Sequence, residues 1–213
     1  MTVIVLSGPV GAGKSSLTAI LSKYLGTKPF YESVDDNPVL PLFYKDPLKY
    51  TYLLQLFFLN TRFHSIKKAL SDDNNVLDRS IYEDALFTYI NTIQGSISQE
   101  EYAIYLELLD NMMEEIDALP KKAPDLLIYL DGSFETIMDN IQKRGRSYEQ
   151  VDDNPELLAY YKLLHQHYGQ WYEDYNYGPK MKISTDDLDI AQEADWQKAF
   201  GLIEQEMKKL GLR

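Results

Sequence analysis

The chain has 213 residues, no cysteine and a formal net charge of −12. The lack of cysteine excludes disulfides, thiolate metal sites and a cysteine nucleophile, and it fits the reducing cytoplasm, where we expect the protein to act. The acidic balance disfavours binding to nucleic acid or to a membrane surface, because both attract basic proteins. No N-terminal signal peptide is expected, and the longest apolar stretch, residues 53–59, is too short to span a bilayer.

Short apolar segments alternate with longer segments of helical periodicity along the chain. The predicted strands are 3–6, 30–32, 75–77, 126–130 and 180–184, and the predicted helices are 14–25, 47–71, 81–94, 99–118, 134–144, 155–174 and 191–210. This alternation predicts one α/β domain, residues 1–213, with a parallel five-stranded sheet and helices on both faces. Ligands bind at the carboxyl ends of such strands, so we expect Gly8, Glu32, Asp78 and Asp131 to face one crevice.

A phosphate-binding loop follows the first predicted strand. Residues 8–15 read GPVGAGKS and match the motif G-x-x-x-x-G-K-[ST] between a strand and a helix. The glycines let backbone N–H groups surround phosphate oxygens, Lys14 can reach the β- and γ-phosphates, and the Ser15 hydroxyl can bind Mg²⁺. The motif predicts a fold of the P-loop kinase type, with an ATP site formed by Gly8, Pro9, Val10, Gly11, Ala12, Gly13, Lys14, Ser15 and Ser16.

Candidate catalytic side chains lie at the ends of two strands. Glu32 could accept the proton of an attacking hydroxyl, although an acid at a strand end can equally be a solvated surface group. Asp78 and Arg79 emerge together after the strand 75–77 and suit contact with Mg²⁺-bound water and charge stabilisation on a phosphate. A local ion pair is the alternative for these two residues.

Two arginines stand in a polar segment that we interpret as a candidate lid, residues 144–154. Arg144 and Arg146 flank Gly145, and the planar guanidinium group suits phosphate oxygens. Two solvated surface arginines are the alternative interpretation.

A polar pair interrupts the apolar face of the long predicted helix 47–71. Gln55 and Arg62 are seven residues apart, so they share one face of this helix. The apolar residues expected on that face are Leu48, Tyr52, Leu56, Leu59 and Phe63. A buried carboxamide can offer a donor and an acceptor to the edge of a nucleobase, or it can be a satisfied core glutamine.

Together these positions resemble the deoxyribonucleoside kinase family, from the phosphate loop to the candidate lid. Three further residues match the family pattern: Tyr44 eleven residues before Gln55, Asp84 five residues after Arg79, and Glu149 three residues after Arg146. The segment 31–38, YESVDDNP, is similar to the bacterial deoxyadenosine/deoxyguanosine kinase branch.

The resemblance implies ATP-dependent phosphorylation of the 5′-hydroxyl of a deoxyadenosine, deoxyguanosine or deoxycytidine, with Mg²⁺ and in a homodimer. Glu32 would be the general base and Asp78 would help to hold Mg²⁺, although some descriptions of the family make the acid at the position of Asp78 the proton acceptor. Arg79 would bind the 5′ region and the transferring phosphoryl group. Arg144 and Arg146 would close over the triphosphate.

The resemblance also implies how the acceptor is bound. Tyr44 and Glu149 would bind the 3′-hydroxyl, with Tyr44 filling the space of a 2′-hydroxyl. Gln55 would pair with the base edge, and Arg62 and Asp84 would complete a polar pocket similar to those that read purines and cytosine.

Three positions depart from the family pattern, and two alternatives to this family stay open. Asn140 stands where many relatives carry another lid arginine, and Thr88 stands where relatives often carry an aromatic residue. The strand that ends at Asp131 is more similar to its counterpart in thymidylate kinases, so a nucleoside monophosphate kinase is the first alternative. A nucleotide-binding protein without catalysis is the second.

Overall fold

Five parallel strands form the sheet of this protein, in the order β2-β3-β1-β4-β5. The structure is a computed structural model, and it describes residues 2–31, 37–72, 74–119, 121–186, 188 and 192–212. The strands are β1 (Val3–Ser7), β2 (Lys28–Phe30), β3 (Asn75–Asp78), β4 (Leu126–Asp131) and β5 (Lys180–Ser184). The predicted α/β class, with its parallel five-stranded sheet, is confirmed.

Eight helices within the described residues connect and cover the strands. They are α1 (Lys14–Leu25), α2 (Leu40–Lys45), α3 (Pro47–Asp72), α4 (Asp84–Ile93), α5 (Gln99–Asp117), α6 (Phe134–Arg144), α7 (Pro155–Asp174) and α8 (Glu193–Lys209). Turns of 3₁₀ helix occupy Ile81–Glu83 and Ser147–Glu149. None of the described helices combines the length and the apolar character that crossing a membrane requires.

The strand β1 shows why helices cover both faces of the sheet. Successive side chains of a strand point to opposite faces, and every residue of β1 is buried. Val3 and Val5 pack in one core with residues of α3, α4, α5 and α7. Ile4 and Leu6 pack in a second core with residues of α1, α6 and α8. Near-continuous apolar strands of this kind are typical of parallel sheets that are buried on both sides.

The register of the strands brings the candidate site residues to one edge. β1 pairs with β3 from Val3–Asn75 to Leu6–Asp78, and with β4 from Ile4–Leu126 to Ser7–Tyr129. Asp78 and Asp131 end their strands, and Gly8 directly follows β1. Because the strands are parallel, these three residues lie at the same carboxyl edge, as predicted.

The boundaries differ from the prediction mainly around β2 and α2. The predicted strand 30–32 lies instead at Lys28–Phe30, where it pairs with Asn75–Leu77 at the edge of the sheet and can therefore contain a proline. Helix α2 was not among the predicted helices. Proline is compatible with the first turn of a helix, and the Asn37 side chain accepts hydrogen bonds from the N–H groups of Val39 (2.9 Å) and Leu40 (3.1 Å).

Helix caps support the remaining boundaries. Ser98 and Glu101 form a capping box at the start of α5. α6 ends at Gly145, whose left-handed backbone (φ 69°) terminates the helix. The segment 144–154 then contains the 3₁₀ turn, and the Asn154 side chain accepts a hydrogen bond from the N–H of Leu157 at the start of α7.

Candidate active site

The phosphate loop runs from the end of β1 to the start of α1 and is tightly packed on its neighbours. Gly11 has φ 88°, and a Cβ atom there would lie 2.7 Å from the carbonyl oxygen of Ile137 in α6. A side chain is therefore excluded both by the left-handed backbone and by lack of space. The Asn140 side chain of α6 donates a hydrogen bond to the carbonyl of Gly11 (3.0 Å). Asn140 thus holds the loop.

Lys14 is buried beside the loop and contacts its carbonyl groups. Its Nζ donates hydrogen bonds to the carbonyl oxygens of Gly8 and Pro9, each at 2.8 Å. The amine is thus held within the arc of the loop, where the phosphate chain of a nucleotide would lie.

Ser15 and Asp78 join the loop to the end of β3. The Ser15 hydroxyl donates a hydrogen bond to Oδ2 of Asp78, a buried carboxylate. Hydroxyl and carboxylate oxygens are suitable ligands for Mg²⁺. Within the described part of the chain, no group of three or more histidines and acids could hold a metal ion. A Mg²⁺ ion at Ser15 and Asp78 would therefore take most of its ligands from phosphate and water.

Arg79 follows Asp78 in an unusual backbone conformation. Its φ of 73° is the only positive value at a non-glycine among the described residues. The guanidinium group turns back toward the loop, where Nη2 donates a hydrogen bond to the carbonyl oxygen of Gly8 (3.2 Å). It also lies over the ring of Phe87, 4.4 Å from the centroid. Two residues that we did not predict, Glu83 and Tyr168, contact the same guanidinium group.

A second polar pocket lies between α3 and α4. Arg62 of α3 forms an ion pair with Asp84 of α4, and both side chains are buried (8% and 0% exposed). The Arg62 guanidinium also lies over the ring of Phe58, 4.9 Å from the centroid. Gln55 is buried on the same helix, yet its amide makes no hydrogen bond to the residues that the structure describes. A buried amide without a partner is available to a ligand.

The buried face of α3 is rotated relative to our prediction. Leu48 was expected on the apolar face but is 75% exposed. The residues that are buried are Thr51, Leu54, Gln55, Leu59, Arg62, Ile66, Ala69 and Leu70. Gln55 and Arg62 therefore share the buried face, as predicted, although Leu48 does not.

A small cleft lies between Arg62 of α3 and the carboxyl end of β3. Its lining residues are Phe30, Tyr31, Thr61, Arg62, Ser65, Leu77, Asp78 and Arg79. Arg62 from the α3 pocket thus shares one cavity with Asp78 and Arg79 from the end of β3.

The arginines of the segment 144–154 converge on one buried acid. Arg144 lies 2.5 Å and Arg146 lies 3.3 Å from the Glu149 carboxylate. The Tyr161 hydroxyl of α7 donates a hydrogen bond to the carbonyl oxygen of Glu149 (3.4 Å). Three of the predicted site residues are therefore together in this segment.

Two predicted site residues are not described. Glu32 lies outside the described residues, directly after Tyr31, which lines the cleft. Tyr44 lies in α2, and its side chain is outside the described part of the structure.

Asp131 and Asp186 lie on the far side of the loop, near the start of α6. The Asp131 carboxylate accepts a hydrogen bond from Tyr129 (3.2 Å) and pairs with Lys182 (3.3 Å). Asp186 accepts hydrogen bonds from the N–H of Ser133 and the hydroxyl of Thr136, and these bonds lower the pKa of its carboxyl group. Both acids therefore have local partners.

These features define the class of the protein, which has a P-loop kinase fold. The family model described as deoxynucleoside kinase matches residues 4–209. The chain belongs to the deoxynucleoside kinase family and is an enzyme that phosphorylates deoxynucleosides. This result removes the two alternatives, a nucleoside monophosphate kinase and a protein without catalysis.

Three known relatives are similar to this chain over nearly their whole length. A deoxyguanosine kinase of Lactobacillus johnsonii is 62% identical over 99% of this chain and 95% of its own. A deoxyadenosine kinase of Lactobacillus acidophilus is 50% identical over 98% of both chains. The solved structure of deoxyadenosine kinase from M. mycoides with bound dATP is 30% identical, with a TM-score of 0.80 over 97% of this chain and 99% of that one.

Proposed function

We propose that this protein transfers the γ-phosphoryl group of Mg-ATP to the 5′-hydroxyl of a purine deoxynucleoside, with deoxyguanosine as the best substrate. The observation that carries the proposal is the cleft in which Arg62 meets Asp78 and Arg79 beside the phosphate loop. The higher identity to a deoxyguanosine kinase (62%) than to a deoxyadenosine kinase (50%) supports the preference for guanine.

The donor side of the site binds the triphosphate of ATP. The loop residues 8–16 surround the phosphates, and Lys14 exchanges its bonds to the Gly8 and Pro9 carbonyls for phosphate oxygens. Ser15 and Asp78 would hold Mg²⁺, which would supply positive charge to neutralise the phosphates. Arg144 and Arg146 form part of a lid, residues 144–154, that closes over the triphosphate.

The acceptor side binds the nucleoside between α3 and β3. Gln55 pairs with the base edge, and the Arg62–Asp84 pair completes its polar pocket. Arg79 binds the 5′ region and the transferring phosphoryl group. Tyr44 and Glu149 bind the 3′-hydroxyl, and Tyr44 fills the space of a 2′-hydroxyl.

We assign the role of general base to Glu32 and not to Asp78. The contact of Asp78 with the Ser15 hydroxyl favours a role at Mg²⁺. Glu32→Ala should lower kcat by about 10²-fold with little change in the KM for deoxynucleoside, the usual scale for a general base. In contrast, raising the Mg²⁺ concentration should partly restore the kcat of the Asp78→Asn enzyme and should not restore the kcat of the Glu32→Ala enzyme. A Glu32→Ala enzyme of near-normal kcat would remove Glu32 from this role.

Gln55 contributes to recognition of the base and not to binding of ATP. Gln55→Ala should raise the KM for deoxynucleoside about tenfold or more, because the base edge would lose a buried hydrogen-bond partner. The KM for ATP should be unchanged, and stability should change little because the amide has no bond to the described residues. Asn60→Ala, on the exposed side of α3, is the matched control. An unchanged deoxynucleoside KM in Gln55→Ala would mean that the base binds elsewhere.

We also propose that the protein is a homodimer. Two helices that pack together each expose a pair of apolar residues one turn apart: Tyr89 and Ile93 on α4, and Ile104 and Leu108 on α5. Exposed apolar side chains on two adjacent helices are typical of protein interfaces. Light scattering during gel filtration should give twice the mass of the chain, and the mass of one chain would contradict the dimer.

The substrate proposal is tested by initial rates with Mg-ATP and six acceptors: the four deoxynucleosides, adenosine and thymidylate. We expect the highest kcat/KM for deoxyguanosine, followed by deoxyadenosine, and little turnover of adenosine or thymidylate. Preferred turnover of thymidine or deoxycytidine would contradict the purine preference.

A further inference from the structure

A buried cluster fixes the Arg79 guanidinium group. Arg79 Nη1 lies 3.0 Å from Oε1 of Glu83 and donates a hydrogen bond to the Tyr168 hydroxyl (2.9 Å). The Tyr168 hydroxyl in turn donates a hydrogen bond to Oε2 of Glu83 (2.7 Å). The side chains of Glu83 and Tyr168 are fully buried. The three groups thus form a closed triangle, in which the neutral Tyr168 hydroxyl contacts both members of the Arg79–Glu83 ion pair.

The same cluster contacts the first glycine of the phosphate loop from two directions. The N–H of Gly8 donates a hydrogen bond to Oε2 of Glu83 (3.4 Å), and the Gly8 carbonyl accepts one from Nη2 of Arg79 (3.2 Å). Glu83 therefore contacts both the cation and the loop that would bind the phosphates. A substitution at Glu83 would therefore remove contacts to both the Arg79 guanidinium group and the phosphate loop.

The backbone of Arg79 indicates that its position matters. A left-handed conformation is unfavourable for a side-chain-bearing residue and persists only where the surroundings enforce it. Here the Arg79 N–H bonds to the Leu6 carbonyl (2.9 Å), and the ring of Phe87 covers the guanidinium group. Helix α7, which carries Tyr168, is itself fixed to the 3₁₀ turn by the bond from Trp171 Nε1 to the Tyr82 carbonyl (2.9 Å).

We propose that Glu83 and Tyr168 are positioning residues. They fix the Arg79 guanidinium group and Gly8, the first glycine of the phosphate loop, in the positions that phosphoryl transfer requires. The inference rests on the proposed role of Arg79 at the transferring phosphoryl group. Glu83 provides the counter-charge that a buried guanidinium requires. Tyr168 fixes the orientation of the ion pair, since its hydroxyl accepts a hydrogen bond from Arg79 and donates one to Glu83. Burial raises the pKa of Tyr168 well above its usual value, so the hydroxyl keeps its proton.

Tyr168→Phe removes one oxygen and keeps the ring in the core. We expect kcat to fall about tenfold, because hydrogen bonds to charged groups are lost. The KM values for ATP and deoxynucleoside should change by no more than about twofold. Tyr175→Phe is the matched control, because the Tyr175 hydroxyl is buried without a hydrogen bond in the described structure. Its kcat should equal that of the unmodified protein.

A double-mutant cycle separates positioning from a merely structural role. Glu83→Gln should lower kcat by about 10²-fold in the unmodified protein, as loss of an orienting charge partner does. In an Arg79→Ala background the same substitution should lower kcat by no more than about tenfold, because only the contact of Glu83 with the Gly8 N–H is left to lose. A merely structural role would give the same fold loss in both backgrounds. If Glu83→Gln does not fold, the cycle is run with Tyr168→Phe.

The outcomes distinguish this inference from the proposed function. If Arg79→Ala lowers kcat strongly while Glu83→Gln and Tyr168→Phe keep the normal kcat, the positioning role is wrong and the role of Arg79 stands. Equal losses in both backgrounds also overturn the positioning role. If Arg79→Ala itself has a near-normal kcat, the proposed role of Arg79 is wrong, and the inference is overturned with it.

Discussion

Lys14→Met should lower kcat by about 10²- to 10³-fold, the scale expected when one charged donor to the transition state is lost. The amine is held by the Gly8 and Pro9 carbonyls at 2.8 Å, so it is already in place to meet the phosphate chain. The methionine side chain fills a similar volume but carries no charge. Initial rates at saturating ATP and deoxynucleoside measure the effect.

The matched control for Lys14 lies on the same helix. Lys23→Met alters an exposed lysine in the last turn of α1, and its kcat should stay within about twofold of normal. A Lys14→Met enzyme with the activity of the Lys23→Met enzyme would exclude Lys14 from the transfer step.

Asp84→Ala should lower the free energy of unfolding by about 3–5 kcal/mol, because it removes one member of the buried ion pair with Arg62. Urea denaturation followed by circular dichroism measures the change. The double variant Arg62→Met/Asp84→Leu should recover most of the stability, since apolar side chains of similar size often replace a buried ion pair without loss. Normal stability of Asp84→Ala would show that Arg62 is not held by this acid.

The same double variant tests the part of the pair in base recognition. Its stability should be near normal, yet its KM for deoxynucleoside should be raised, because the apolar pair offers no hydrogen bonds to a base. A stable double variant with an unchanged KM would assign Arg62 and Asp84 to the fold alone.

The sequence was sufficient to predict the features that depend on residues close together in the chain. The phosphate loop is a local motif, so its residues and the following helix could be read directly. The order of strands and helices also gave the parallel sheet, and with it the shared edge of Gly8, Asp78 and Asp131. Gln55 and Arg62 were recognised as one face of α3 because helical periodicity fixes which residues share a face.

Other features depend on contacts between distant parts of the chain. Periodicity did not establish which neighbours of Gln55 are buried, and Leu48 is exposed because α3 is packed on a rotated face. The spacing of Arg79 and Glu83, four residues apart, could have indicated their ion pair. Tyr168 is 89 residues from Arg79, and only the packing of α7 brings them together. No sequence pattern marks that contact.

The most direct test of the central claim joins the two substrates in one molecule. Adenosine linked through four phosphates to the 5′-oxygen of deoxyguanosine should fit the phosphate loop at one end and the α3 pocket at the other. We expect this compound to compete with both ATP and deoxyguanosine, and to lose affinity in both Lys14→Met and Gln55→Ala. Competition with only one of the two substrates would contradict a shared site at the carboxyl edge of β1 and β3.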